Sequence, residues 1–199
     1  SDIFMGEKTD MTAPFGKAEN AEEKEYDYKI LRCQPIDGII AAEEISAKRV
    51  FISPKGETIV DFGQVIAGRT RVIIKEPKGR ELKFEHSEVL DAEDNYFVAL
   101  VAKQCDTVIA DGTEFIFEPK FTFHGFRYVR VSGMENPMPD RFTAVLLTSE
   151  KENISSFSCE DERFNRLYKN IRYSQKNNMM SVPTDCPTRE KAGWTGDIA

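Results

Sequence analysis

Phe126-Arg-Tyr-Val-Arg-Val-Ser132 is the stretch on which the fold class turns. Aromatic and β-branched residues fill four of its seven positions, the composition of a pleated, half-buried strand. Phe126, Tyr128, Arg130 and Ser132 share one face, and Arg127, Val129 and Val131 share the other. Neither face is purely apolar, so the pattern predicts a central strand whose two arginines run along apolar surface to reach water. Outward from it lie further short runs of the same kind, at 26–34, 44–52, 58–62, 70–75, 81–90, 106–110, 114–118 and 141–148, separated by Gly, Pro, Asp and Asn. Nine such runs at this spacing predict a mainly β chain, an antiparallel β-sandwich. Ser53-Pro54-Lys55-Gly56 and Glu76-Pro77-Lys78-Gly79 place Pro second and Gly fourth, which suits type I turns between antiparallel strands. Gly63 and Gly68, flanking 64–67, read as turn glycines. No Gly-Lys-Ser/Thr follows them, so they form no phosphate loop.

The ends of the chain read differently. Residues 1–25 have no hydrophobic period and predict a lead-in loop, partly mobile, before a sandwich spanning 26–158. In 159–199 the period lengthens. Phe164, Leu167, Tyr168 and Ile171 form one stripe of a helix expected over 160–178. Glu160, Asp161 and Glu162 fall in its first turn and Lys169, Arg172 and Lys176 towards its end, the polarity that a helix dipole favours. Such a stripe must be covered, so it is expected to fold onto the sandwich, to pair with a second copy of the chain, or to fray. A stripe left well exposed would argue against the helix.

Composition excludes some partners. The 199 residues are 40% hydrophobic and 31% charged, ordinary values for a globular domain of this size. Twenty-seven Lys and Arg against 34 Asp and Glu give a net charge of −7, which argues against nucleic acid. Five of the acids lie between Glu19 and Asp27 and read as a solvated segment. No apolar run is long enough to span a membrane. Cys33, Cys105, Cys159 and Cys186 are far apart, without metal-ligand spacing, and read as free thiols that favour a cytoplasmic compartment. Neither a cofactor nor a metal site is expected.

Chemistry concentrates in Val182-Pro-Thr-Asp-Cys-Pro-Thr-Arg-Glu-Lys-Ala-Gly-Trp-Thr-Gly-Asp-Ile-Ala199. Asp185, Glu190 and Asp197 lie five and seven residues apart, with Arg189 beside Glu190 and the sole tryptophan, Trp194, between Gly193 and Gly196. A sugar site needs such a set, an indole to stack on a pyranose face and carboxyl groups to bond hydroxyls and give a proton. Glu190 is the candidate general acid, with Asp185, Arg189, Trp194 and Asp197 as substrate-binding candidates. The plainer readings are a surface salt bridge for Glu190 with Arg189 or Lys191, a turn-forming role for Asp185, a loop-shaping role for Arg189, and core packing for Trp194. Cys186 could act as a nucleophile only with a base, and His86 and His124 lie in strand-like runs, so a packed cysteine is the better reading. His124, in Phe121-Thr-Phe-His-Gly-Phe126, reads as a satisfied histidine among core aromatics.

Asp185-Cys-Pro-Thr-Arg-Glu190 followed by Gly193-Trp-Thr-Gly-Asp197, after a helix that runs into Val182-Pro-Thr, resembles the signature of the bacterial α-L-rhamnosidases, inverting glycoside hydrolases. Asp2-Ile-Phe-Met-Gly-Glu7, Gln34-Pro-Ile36, Asp61-Phe-Gly-Gln64, His86-Ser-Glu-Val-Leu90, Phe121-Thr-Phe-His-Gly-Phe-Arg-Tyr-Val129 and Phe164-Asn-Arg-Leu-Tyr168 are similar to that family in the same order. The resemblance implies that the chain is an internal piece of such an enzyme, with 159–199 as the beginning of a truncated catalytic (α/α)6 barrel. It implies that Glu190 is the acid and that Asp185 and Asp197 bond sugar hydroxyls. The substrate would be a rhamnose-containing glycoside or oligosaccharide, cleaved with inversion at a terminal α-L-rhamnosyl residue. The general base would lie downstream, leaving this chain inactive alone. The alternative is a non-catalytic sandwich that binds carbohydrate or serves as a scaffold.

Overall fold

The computed structural model describes residues 1–14, 16–98, 102–150 and 155–198. Eleven strands and one α-helix follow in chain order: β1 Lys8–Asp10, β2 Ile40–Ser46, β3 Arg49–Ile52, β4 Thr58–Lys75, β5 Glu81–Ser87, β6 Cys105–Ile109, β7 Glu114–Phe117, β8 His124–Ser132, β9 Phe142–Thr148, α1 Glu162–Asn177, β10 Met179–Met180 and β11 Val182–Pro183. The first nine strands form one sheet in the order β1-β6-β5-β8-β4-β9-β2, with β3 and β7 also on β4. β1 joins β6 in parallel and the other pairs are antiparallel.

The expected sandwich is made by curling this sheet around its longest strand. The first part of β4 pairs with β3 and β8, and the second part with β8, β9 and β7. Between Asp61 and Ile66 the register against β8 shifts, a bulge that bends the strand. Partners of the two parts then meet across one core, where Phe84 of β5 stacks on Phe117 of β7 at 5.9 Å. Phe62 and Phe126 meet edge to face at 5.7 Å beside the bulge. The two runs expected at 58–62 and 70–75 are therefore one strand. Gly63 does adopt φ +74°, but within the bulge. At Gly68 a Cβ would lie 1.9 Å from the Val145 carbonyl oxygen, so the glycine there admits β9 and turns nothing.

β8 is central, as expected, between β5 and β4. Its arginines are paired as well as extended. Arg127 Nε and Nη2 donate to the two carboxylate oxygens of Asp61 at 2.8 and 3.1 Å. Arg130 holds Glu85 through Nε and Nη2 at 2.8 and 2.7 Å and Glu57 through Nη1 at 2.6 Å. Other expectations need correction. Residues 26–34 contain only a 3-10 turn, Tyr28–Ile30, and are exposed, pairing with no strand of the sheet. The run at 44–52 divides into β2 and β3 at Ala47 and Lys48. The lead-in contributes β1, which finds a partner about a hundred residues away.

The helix forms, but not by burying the expected stripe. Phe164, Leu167 and Ile171 are 54%, 53% and 55% exposed. Asp161 caps the first turn by accepting from Arg163 N at 2.9 Å, so its start is secured locally. Docking uses its last turns. Tyr173 packs against the core and donates to Glu43, and Asn177 is buried against the β4 bulge. The Asn177 carboxamide accepts from Ala67 N at 2.9 Å and donates to Val65 O at 3.1 Å, which satisfies backbone groups that the bulge leaves unpaired. Among the described residues no helix is long and apolar enough to cross a membrane.

Candidate active-site loop

Beyond α1, β10 and β11 form a short hairpin turning at Ser181, whose φ of +69° is left-handed. The chain then closes a loop on itself. Trp194 N donates to Pro183 O at 2.8 Å and Asp185 N to Ala192 O at 3.0 Å, and Asp185 Oδ1 accepts from Ala192 N at 2.9 Å. Residues 185–192 thus project from a backbone neck. Pro187 and Thr188 are buried on β8, where a Cβ at Gly125 would meet Thr188 Cγ2 at 2.5 Å and Pro187 Cγ at 2.8 Å. Absence of a side chain at Gly125 therefore seats the loop.

The structure brings Asp185, Glu190 and Arg189 together. The Asp185 carboxyl sits below the usual carboxylate range, foremost because it shares a side-chain hydrogen bond with Glu190; Cys186 and Ala192 backbone amides add to this against a partial burial cost. Arg189 Nε lies 3.2 Å from Glu190 Oε1, the salt bridge that the plainer reading foresaw. Both side chains are more than half exposed, so that bridge is screened and weak. Trp194 is 56% exposed and is not a core plug. Thr195–Ile198 form a 3-10 turn, while the Asp197 side chain lies outside the described residues.

Cys186 is enclosed by the loop. Burial pushes its thiol up, but the backbone amides of Lys191, Glu190, Arg189 and Thr188 point at the sulfur and bring it below the ordinary value. Neither histidine serves it. All four cysteines are free thiols.

Two side-chain clusters among the described residues could hold a cation. On the loop, Asp185, Cys186 and Glu190 offer ligand atoms within 4.8 Å of one another. In the sandwich, His86, Asp106 and His124 do the same, a grouping that separations of 18 and 20 residues on three strands hid from the sequence. There most of the polar atoms are already engaged, His124 Nδ1 being buried without a hydrogen-bond partner. His124 Nε2 meets Asp106 Oδ2 at 3.0 Å, and His86 bonds Thr70 Oγ1 and Gln104 O, each at 2.9 Å. The two rings stack at 4.2 Å, which sets their in-plane lone pairs side by side and not towards one point. Burial holds both imidazoles neutral, at about 3.

Residues 52–148 match the bacterial alpha-L-rhamnosidase concanavalin-like domain, and residues 152–199 match the bacterial alpha-L-rhamnosidase 6 hairpin glycosidase domain. An α-L-rhamnosidase of Formosa agariphila is 33% identical over 190 residues, covering 89% of this chain and 20% of that protein. The crystal structure of the native α-L-rhamnosidase from Aspergillus terreus is similar with a TM-score of 0.89 and 32% identity, covering 100% of this chain and 25% of that one. That of the Streptomyces avermitilis α-L-rhamnosidase complexed with L-rhamnose gives 0.79 and 35%, covering 82% and 16%. The chain therefore spans a quarter or less of each of these relatives. With two adjoining domain models of one family matched across most of its length, this chain belongs to the bacterial α-L-rhamnosidases.

Proposed function

We propose that the protein carrying this chain hydrolyses terminal α-L-rhamnosyl linkages with inversion and that Glu190 is its general acid. The convergence of the Asp185 and Glu190 carboxyl oxygens within 4.8 Å, beside Arg189 and the exposed Trp194, carries the reading. A general acid must deliver a proton to the departing glycosidic oxygen, and Glu190, more than half exposed, is the carboxyl of the pair that substrate can reach. Arg189 steadies the carboxylate left behind. Asp185 and Asp197 accept from sugar hydroxyls, and the exposed Trp194 indole offers a face for the pyranose ring.

Inversion requires a second carboxylate about 6.5–9.5 Å from the acid, with room for water between. Asp185 is too close to Glu190 to be that base, since their oxygens lie within 4.8 Å. We place the base outside the described residues, so that this chain alone is inactive. The substrate is a rhamnose-containing glycoside or oligosaccharide. Proton NMR of the first product from an aryl α-L-rhamnoside tests the stereochemistry: β-L-rhamnose appearing before mutarotation supports inversion, and α-L-rhamnose contradicts it. Turnover by the isolated chain would contradict the placement of the base.

A further inference from the structure

We infer that Lys191 is a positioning residue that fixes Glu190 by tying the loop to the β-sandwich; this rests on the reading of Glu190 as the acid. The side chain next to the acid points the other way. Lys191 Nζ donates to Ile3 O at 2.5 Å and to Phe123 O at 2.6 Å, and it lies 4.3 Å from the centre of the Phe123 ring and 5.9 Å from that of Phe4. One ammonium thus joins three separate stretches: the loop, the turn at the start of the chain, and the residue before β8.

Two further observations give the contact its weight. Lys191 adopts φ +52°, a left-handed conformation that a residue with a side chain takes only when its surroundings hold it there. Burial also pushes its ammonium down to about 8, while Asp106, Cys186 and Asp2 pull it back up, so the group is desolvated beneath the loop and not waving from it. Glu190 stands between two anchors, Pro187 and Thr188 seated on Gly125 and Lys191 inserted into the sandwich. Among the described residues its side chain pairs with Arg189 and lies beside Asp185 and Cys186 of the same loop. Its direction is consequently set by the backbone that these anchors hold. General-acid catalysis is sensitive to such placement, and misplacing the group by about 1 Å can cost up to about a hundredfold in rate.

The test uses the full-length protein and an aryl α-L-rhamnoside, comparing wild type with Glu190→Gln, Lys191→Met, Lys191→Arg and Gly125→Ala. The expected result is that Lys191→Met lowers kcat by about ten- to a hundredfold with KM within about threefold, because the acid is present but poorly aimed. Lys191→Arg, which keeps a buried cationic donor, recovers part of the loss. Gly125→Ala displaces the other anchor and lowers kcat in the same way. Amide hydrogen exchange of 185–192 should quicken in Lys191→Met while β4 and β8 keep wild-type protection. If Lys191→Met does not fold, Lys191→Gln takes its place with the same expectation. Wild-type kcat in the lysine variant, or a loss confined to KM, overturns the positioning role even when Glu190→Gln is inactive. An active Glu190→Gln overturns the acid reading itself, and the positioning role with it.

Discussion

The interior of the sandwich and the 185–192 loop solve opposite problems with similar residues. In the sandwich, Asp61 and Glu85 are neutralised by two-point pairs with Arg127 and Arg130 of β8, and Glu57 by a single bond from Arg130, while His86, Asp106 and His124 are sealed among strands. On the loop and its neck, Asp185, Arg189, Glu190 and Trp194 stand partly or largely in water. Charges in the first region are consumed in holding shape. Those in the second are left unspent, and their geometry is supplied from below by Gly125 and Lys191. A site of this kind borrows its stiffness from a scaffold that takes no part in the chemistry.

If that contrast is right, substitutions should sort by region. Phe126→Ala, which empties a fully buried ring site at the bulge, should lower unfolding stability by about 3–5 kcal/mol. Chemical denaturation of the isolated chain measures it, and a cost below about 1 kcal/mol would deny the curled core.

Acid should attack the same region. The folded chain keeps His86 and His124 neutral down to about 3, whereas the unfolded chain binds protons below about 6.5. These depressed histidines therefore contribute stability that is present above 6.5 and lost as pH falls from 6.5 towards 3, by about 1.4 kcal/mol per pH unit for each histidine. Asp106, pushed up by burial, offsets part of this just above its ordinary value of 3.8. Melting curves between pH 7 and 4 should show the decline, and replacing both histidines by Gln should flatten it.

Asn177→Ala should cost about 1–3 kcal/mol, because it strands Ala67 N and Val65 O at the bulge. A cost confined to the helix, with β4 amide protection unchanged, would break the link between α1 and the sheet. Leu167→Ser, on the exposed stripe, should change the stability of the isolated chain by no more than about 0.5 kcal/mol.

Legibility followed the same division. Strands β5 to β9 could be read from composition and turn chemistry, because each is short and ends at a recognisable breaker. β4 could not, since Gly63 and Gly68 look like the ends of strands when one relieves a bulge and the other admits a neighbouring backbone. β1 is three residues long and depends on a partner far along the chain. The aromatic and branched residues at 26–34 have a strand's composition but join no sheet. On the loop, Glu190, its neighbouring carboxylate and the exposed indole were all legible as candidates from residue types at telling spacings. Lys191 was not, because it reads as one more surface charge beside Glu190. Only the fold reveals that it turns inward to carbonyls contributed by residues 3 and 123.

The most direct measurement is the rate of aryl α-L-rhamnoside hydrolysis by the full-length protein with Glu190 intact and with Glu190→Gln. General-acid catalysis of this kind contributes about 10²–10⁴ in rate, so the variant should lose at least about a hundredfold in kcat while melting at the wild-type temperature. A folded Glu190→Gln protein with wild-type kcat would contradict the assignment of the acid and the function built on it.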